Sequence, residues 1–197
     1  MPTTTRWLAL GGIVGPVAFV ATWATAGARK PGYSPVNDAI SDLAALHTST
    51  RAAMTTGFIV FGVAVAAFGL ALRAAGLRPA GNATIATALF TLAVAAVPLG
   101  GPTRDVVHGT FASLGYITLA AAPLLGARAF ATAGRTGWAR SSRITGAAAA
   151  VCLAASALGP VHGLFQRSGL TVGDAWLVAI ASQLVLGRRP NERVGPS

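Results

Sequence analysis

The segment AAMTTGFIVFGVAVAAFGLAL, residues Ala52–Leu72, decides the fold of this chain. It runs for 21 residues without a single charged side chain. An α-helix needs about 20 mostly apolar residues to cross the hydrocarbon core of a bilayer. The segment is therefore too long and too apolar for the core helix of a soluble protein, and it predicts a transmembrane helix.

Five further apolar runs of similar length accompany this segment. They predict an all-α fold, a six-transmembrane-helix bundle that forms a single domain over residues 1–197. The predicted helices cover residues 7–27, 52–72, 83–100, 109–133, 144–162 and 169–187. The first run ends in ATAGA, which resembles a signal-peptide cleavage site, but it is longer than the usual apolar core of a signal peptide. We therefore expect it to be retained as a helix.

The composition of the chain supports a lipid environment. Of its 197 residues, 53% are hydrophobic and 10% are charged, whereas soluble domains carry about 25% charged residues. So few charges cannot cover a water-exposed surface. The chain has one cysteine, Cys152, which excludes an intrachain disulfide.

The basic residues predict the orientation in the membrane. With the N-terminus in the cytoplasm, ten arginines fall on the inner side, and five basic residues fall on the outer side. This excess predicts that both termini lie in the cytoplasm. The prevalence of arginine over lysine suggests a GC-rich bacterial genome, and we therefore expect a multi-pass protein of the bacterial cytoplasmic (inner) membrane. The formal charge of +10 thus indicates topology and contact with membrane lipids, not nucleic-acid binding. The inner residues are Arg6, Arg73, Arg78, Arg128, Arg135, Arg140, Arg143, Arg188, Arg189 and Arg193; the outer ones are Arg29, Lys30, Arg51, Arg104 and Arg167.

The first predicted outer loop, residues 28–51, contains the most polar stretch of the chain, PVNDAISDLAALH. Ser34 is a suitable helix cap, Pro35 suits the first helical position, and Asp38 would lie in the first turn. These signals predict a short amphipathic helix over about residues 35–46. The helix dipole accounts for Asp38 but not for Asp42, so Asp42 is a candidate for a functional site.

Acidic residues and histidines are concentrated on the predicted outer side. Four of the five acidic residues and all three histidines fall there. Asp105 and His108 are three positions apart and share a helical face. Asp174 lies about 7 Å inside its apolar run, so it should face the bundle interior and pair with Arg167, His108 or Arg104. The candidate ligand-binding residues are Ser41, Asp42, Asp105, His108, Arg167 and Asp174.

Three short motifs carry a resemblance to a known family. ISDL follows the first helix, an aspartate and HG open the fourth, and GLFQR precedes the sixth. With six apolar runs, the chain resembles the bacterial membrane-protein family catalogued as domain of unknown function 998. The resemblance implies a six-helix integral membrane fold and the matching polar positions Ser41, Asp42, Asp105, His108 and Arg167. Arg104 separates Thr103 from Asp105, which departs from the family pattern, and the family carries no established activity.

Three functions are compatible with these residues. The favoured one is binding or transport of a lipid-like or amphipathic small molecule in an outer-leaflet pocket lined by Asp, His and Arg. A membrane-embedded enzyme is the second, with Asp105 and His108 as an acid–base pair. Zinc at His47, His108 and His162 is less favoured because the ligands lack compact spacing. A structural or assembly subunit with helix-latching ion pairs is the third. The sequence indicates no cofactor and fixes no oligomeric state.

Overall fold

The computed structural model describes residues 1–159 and 161–188, and within them the protein is all-α, as the sequence predicts. Seven α-helices occur in this part of the chain, with a four-residue 3-10 helix between the second and third. They are α1 (Thr3–Ala9), α2 (Gly11–Arg29), α3 (Arg51–Ala74), α4 (Arg78–Ala96), α5 (Pro102–Thr132), α6 (Thr136–Ala155) and α7 (His162–Val185), with the 3-10 helix at Ile40–Leu43.

Five helical stretches of the described chain are long and apolar enough to cross a membrane. Only Leu10 separates α1 from α2, so the two form one stretch over Thr3–Arg29. The others are α3, α4, α5 and α7. Helix α6 is not among them, and its first half carries Arg140 and Arg143. The multi-pass character predicted from the sequence is thereby supported.

Helices that follow one another in the chain pack side by side, and α7 closes the bundle against α2. Arg6 Nε donates a hydrogen bond to the Val185 carbonyl at 2.8 Å, which places the N-terminal helix beside the end of α7. Trp176 Nε1 donates to the buried Ser142 Oγ at 2.8 Å, so a polar contact joins α7 to α6.

Glycines allow α2 and α3 to approach closely. A Cβ added at Gly11 would stand 2.0 Å from the Ala64 carbonyl oxygen, and one at Gly15 would stand 2.9 Å from Val65. The GxxxG pair of the sequence therefore lets the start of α2 lie directly on α3, which larger side chains would prevent.

The amphipathic helix predicted over residues 35–46 does not form. The only helix within these residues is the 3-10 helix Ile40–Leu43, and it is preceded by a single isolated turn in which Asp38 N donates to the Ser34 carbonyl at 2.7 Å. Side-chain oxygens accept hydrogen bonds from the backbone N–H groups at the start of the 3-10 helix. Asp42 Oδ2 accepts from Ala39 N at 2.9 Å, and Gln166 Oε1 accepts from Ile40 N at 2.8 Å. Gln166 belongs to α7, so a tertiary contact overrides the local helix signals of the loop.

Several helix boundaries also differ from those predicted. Helix α5 begins at Pro102 and not at 109, and α6 covers Thr136–Ala155 in place of 144–162. The predicted starts were too late because they followed the apolar runs, whereas both helices begin in more polar residues that precede those runs. Arg189 and Arg193, which the sequence assigns to the inner side, lie outside the described residues.

Candidate functional site

Ser41 and His108 form a buried polar pair where the segment between α2 and α3 meets α5. Ser41 Oγ lies 2.8 Å from His108 Nε2, and His108 Nδ1 lies 2.6 Å from the Val97 carbonyl oxygen. A carbonyl only accepts, so Nδ1 carries a proton. In the tautomer that is protonated at Nδ1 alone, Nε2 has a free lone pair and accepts from the Ser41 hydroxyl. The two side chains are 8% and 3% exposed.

Gln166 of α7 and Tyr116 of α5 lie beside the Ser41–His108 pair, and the four side chains form a polar group. Gln166 Oε1 accepts from the Ile40 N–H at 2.8 Å, and Gln166 Nε2 donates to the Tyr116 hydroxyl. One amide therefore joins the 3-10 helix, α5 and α7. We call the end of the bundle that carries this group and residues 30–50 the loop face.

A groove of about 680 Å³ opens below the polar group, between α5 and α6. Ser41, His108, Tyr116 and Gln166 line one end of it. The remaining lining is mostly alanine and leucine, from Ala112 to Leu124 on α5 and Ala150 to Ala157 on and after α6. No aspartate, glutamate, lysine or arginine occurs among the described residues that line the groove. Of the Asp, His and Arg side chains that the sequence predicted to line a pocket, only histidines line this groove.

Arg167 lies behind the groove and holds the loop-face segment onto α7. Its Nη1 donates to the carbonyls of Pro35, Asp38 and Gly163 at 2.8, 2.9 and 2.9 Å. Its Nη2 donates to the Tyr33 hydroxyl, and the guanidinium lies over the Tyr33 ring at 5.4 Å. Among the described residues, the buried charge is therefore compensated by carbonyl dipoles and by the ring faces of Tyr33 and Trp23 rather than by a carboxylate.

Burial raises the pKa of Tyr33 to about 12, and Arg167 opposes the shift. The phenol is consequently neutral at physiological pH and remains a donor, which it uses toward the Ala39 carbonyl at 2.9 Å. Tyr33 was not among the residues predicted from the sequence.

The carboxylates of the loop face cap backbone N–H groups. Asp38 Oδ2 accepts from Ser34 N at 2.7 Å, and Asp105 Oδ1 accepts from Gly100 N at 2.8 Å. Asp42 Oδ2 caps the 3-10 helix through Ala39, so local structure accounts for Asp42 as it does for Asp38. Asp105 is exposed at the start of α5, and its carboxylate makes no hydrogen bond with His108 within the described chain.

Asp174 is 4% exposed in the middle of α7. Its interior position agrees with the sequence prediction. The expected pairing with Arg167, His108 or Arg104 does not form: Oδ1 accepts no hydrogen bond from any residue between 1 and 159 or 161 and 188. Arg167 and His108 are already engaged at the loop face, and Arg104 is exposed.

The comparison with protein families gives one result. The model described as "Protein of unknown function (DUF998)" matches residues 13–183. The chain belongs to this family. The match covers α2 to α7 with the polar group and the groove, and it confirms the resemblance carried by ISDL, HG and GLFQR. No curated protein and no solved structure matches the chain.

The three histidines of this DUF998 chain do not gather at one point. His108 is buried, His162 lies at the start of α7 and lines the groove, and His47 is exposed in a turn with φ 70°. Within the described ranges, no three His, Cys, Asp or Glu side chains converge as metal ligands. The zinc arrangement considered from the sequence therefore has no counterpart there.

Sequence reasoning placed Ser41 and His108 among the candidates but did not pair them. It also passed over Gln166 and Tyr116, although Gln166 is part of the GLFQR motif. Gln166 could have been found from its place just before the apolar run 169–187, because an amide buried among membrane helices needs polar partners. Whether Asp42, Asp105, Arg167 and Asp174 bind a ligand stays a prediction, and none of them lines the groove.

Proposed function

We propose that this protein binds a lipid-like, amphipathic molecule in the groove between α5 and α6. The observation that carries the proposal is the polarity of the groove: hydrogen-bonding groups at the loop-face end and small apolar residues along the rest. Small-molecule sites are mostly apolar concavities with a few placed polar groups. An acyl chain along α5 and α6 would leave its polar end beside Ser41, His108 and Gln166.

The polar end should be uncharged. Within the described chain, the formally charged side chains of the loop face cap backbone groups, bind carbonyls or are exposed, and none lines the groove. The groups that remain at the rim are hydroxyls, imidazoles and an amide, which can donate and accept hydrogen bonds. An ester, hydroxyl or amide suits this rim better than a phosphate, for which bidentate arginines would be expected.

The membrane placement belongs to the same proposal, with six crossings and both termini in the cytoplasm. Helix α7 begins at the loop face beside Ile40. Helix α5 also begins at the loop face, and it ends at the opposite face. The 20 residues of α6 must cover the distance between the end of α5 and the start of α7. At 1.5 Å per residue they span about 30 Å, the thickness of the hydrocarbon core.

The inner membrane of a bacterium is the proposed location, with the loop face outward. The arginine distribution supports this orientation through the positive-inside rule. The groove would then lie in the outer leaflet, open to lipid from the side. Loading by lateral diffusion within the leaflet would be sufficient, so the proposal requires no aqueous channel.

Native mass spectrometry of the protein extracted from a bacterial membrane tests the proposal. We expect a bound amphipath in the natural chain and in Val151→Phe, whose site is exposed on α6 but outside the groove. Ala150→Phe places a ring in the groove and should remove the bound species. Equal retention in both variants would contradict the groove as the site, and absence from the natural chain would contradict binding itself.

A further inference from the structure

Ser41 and His108 have the arrangement of a nucleophile and its base. A serine hydroxyl becomes reactive when a neutral imidazole nitrogen accepts its proton and a third group fixes the imidazole. Here the Oγ to Nε2 distance is 2.8 Å, and the Val97 carbonyl fixes the ring through Nδ1 at 2.6 Å. The carbonyl occupies the position that a carboxylate takes in the familiar triad.

The pair also faces the place where a substrate would lie. Both side chains line the groove, although each is mostly buried. Tyr116 lines it too. Its hydroxyl accepts a hydrogen bond from Gln166, so the phenolic proton stays available for donation. A serine, its base and a further O–H donor thus occur together at the polar end of an apolar groove.

We propose that the protein is a serine-dependent esterase or acyl-transfer enzyme that acts on a long-chain carboxylic ester held in the groove. The inference rests on the proposed amphipath binding and adds a reaction to it. It differs from the acid–base pair of Asp105 and His108 considered from the sequence, because Asp105 is exposed and caps the start of α5.

The reaction balances with water as the second reactant. Ser41 Oγ bonds to the ester carbonyl carbon while its proton passes to His108 Nε2. The carbon–oxygen bond to the alcohol breaks, and the leaving alkoxide takes that proton. Water then attacks the acyl carbon, with His108 accepting a proton from it, and the carboxylic acid leaves as Oγ regains its proton. An alcohol in place of water would give acyl transfer.

The Tyr116 O–H is the donor assigned to the oxygen that becomes negative in the tetrahedral intermediate. A preorganised donor at this position stabilises charge that is absent from the ground state. The apolar walls of α5 and α6 strengthen that interaction because they exclude water. Tyr116→Phe should therefore slow acylation without removing the bound chain.

A long-chain alkyl fluorophosphonate, incubated with the purified full-length protein in detergent, tests the reaction. Its phosphorus is attacked by activated serines with loss of fluoride, and peptide mass mapping identifies the modified residue. We expect an adduct on Ser41 in the natural chain, no adduct at this position in Ser41→Ala, and labelling slower by about 100-fold or more in His108→Gln. Ser141→Ala, at an exposed serine of α6 outside the groove, should label normally.

The outcomes separate the reaction from the binding. If Ser41 stays unmodified while the alkyl phosphonate without fluoride still binds by native mass spectrometry, the enzymatic inference is wrong and the groove remains a binding site. If neither reagent binds, both proposals fail. Labelling of another serine, or equal rates in folded His108→Gln, would overturn the pair. Peptide mapping of the natural chain tests whether Ser41 is the modified serine even if a variant does not fold.

Discussion

His108 and Ser41 are 67 positions apart, yet His108 Nε2 lies 2.8 Å from Ser41 Oγ. The contact joins α5 to the 3-10 helix, and the Gln166 amide joins the same 3-10 helix to α7. Three separate parts of the chain therefore meet where the groove begins. Both proposals depend on the order of this junction.

Arg167→Ala should release the loop-face segment from α7. Three carbonyls and the Tyr33 hydroxyl lose their shared donor. Hydrogen bonds to charged groups contribute about 1.5–3 kcal/mol each, so we expect the free energy of unfolding to fall by at least about 3 kcal/mol. Amide hydrogen exchange of residues 33–40 should accelerate.

Arg140→Ala is the matched control, because Arg140 is exposed on α6. Arg167→Lys should restore stability only in part, since one ammonium cannot reproduce the fork of donors. Unchanged exchange in Arg167→Ala would refute the attachment that we assign to this side chain.

Asp174→Leu should stabilise the protein. Its Oδ1 is buried without a hydrogen bond from the described chain, and such a group costs about 1–3 kcal/mol. The substitution replaces a polar group by an apolar one of similar volume within α7. A higher melting temperature in detergent would agree with this account, whereas a marked decrease would reveal a partner for the carboxylate and support a helix-latching role.

Gly11→Ala should separate α2 from α3. The new methyl group would stand 2.0 Å from the Ala64 carbonyl oxygen, closer than real contacts allow. Overpacking of this kind costs about 1–3 kcal/mol. Gly137→Ala on α6 meets nothing within 4 Å and should be neutral or stabilising by up to about 1 kcal/mol. Equal melting temperatures for the two variants would count against the close contact.

Tyr33 gives the loop face a dependence on alkaline pH. The folded pKa of about 12 exceeds the ordinary value of 10.0, so the folded state holds the phenolic proton more tightly than the unfolded state. Stability should therefore be fully present below about pH 10 and decline as the pH rises toward 12. Thermal unfolding at a series of alkaline pH values should show this decline in the natural chain.

Tyr33→Phe is the control for this dependence, because it removes the titrating group. Its stability should be lower near neutral pH, where the hydrogen bonds to Arg167 and Ala39 are lost, and flatter over the alkaline range. Parallel curves for the two proteins would show that another group titrates.

The five helical stretches that are long and apolar enough to cross a membrane were predictable because their apolar length is visible in the sequence. Ala52–Leu72 predicts α3 to within a few residues of Arg51–Ala74. The segment around Ser41 was less predictable, since Gln166 of α7 takes the Ile40 N–H that a longer helix would have used otherwise. Local propensity contains no information about a partner 126 positions away.

Ser41 and His108 of the candidate site were predicted from the sequence, whereas Gln166, Tyr116 and the contacts among the four side chains were not. Ser41 and His108 could be named because polar residues next to apolar runs are costly and so invite explanation. Their pairing depends on how α5 and the loop pack, and spacing along one helix suggested Asp105 as the partner instead. The absence of Asp and Arg side chains from the groove was unpredictable for a similar reason. Asp42 and Arg167 bind backbone atoms instead, and no sequence pattern predicts those contacts.

The most direct test of groove binding is photo-crosslinking with an ester lipid that carries a diazirine in its acyl chain, followed by peptide mapping. We expect crosslinks on groove residues of α5 and α6, such as Ile117, Leu124 and Leu153. Val17 and Val63, which are 59% and 61% exposed outside the groove, provide the comparison. Crosslinks spread evenly over such exposed residues, with none enriched in the groove, would contradict binding of the acyl chain between α5 and α6.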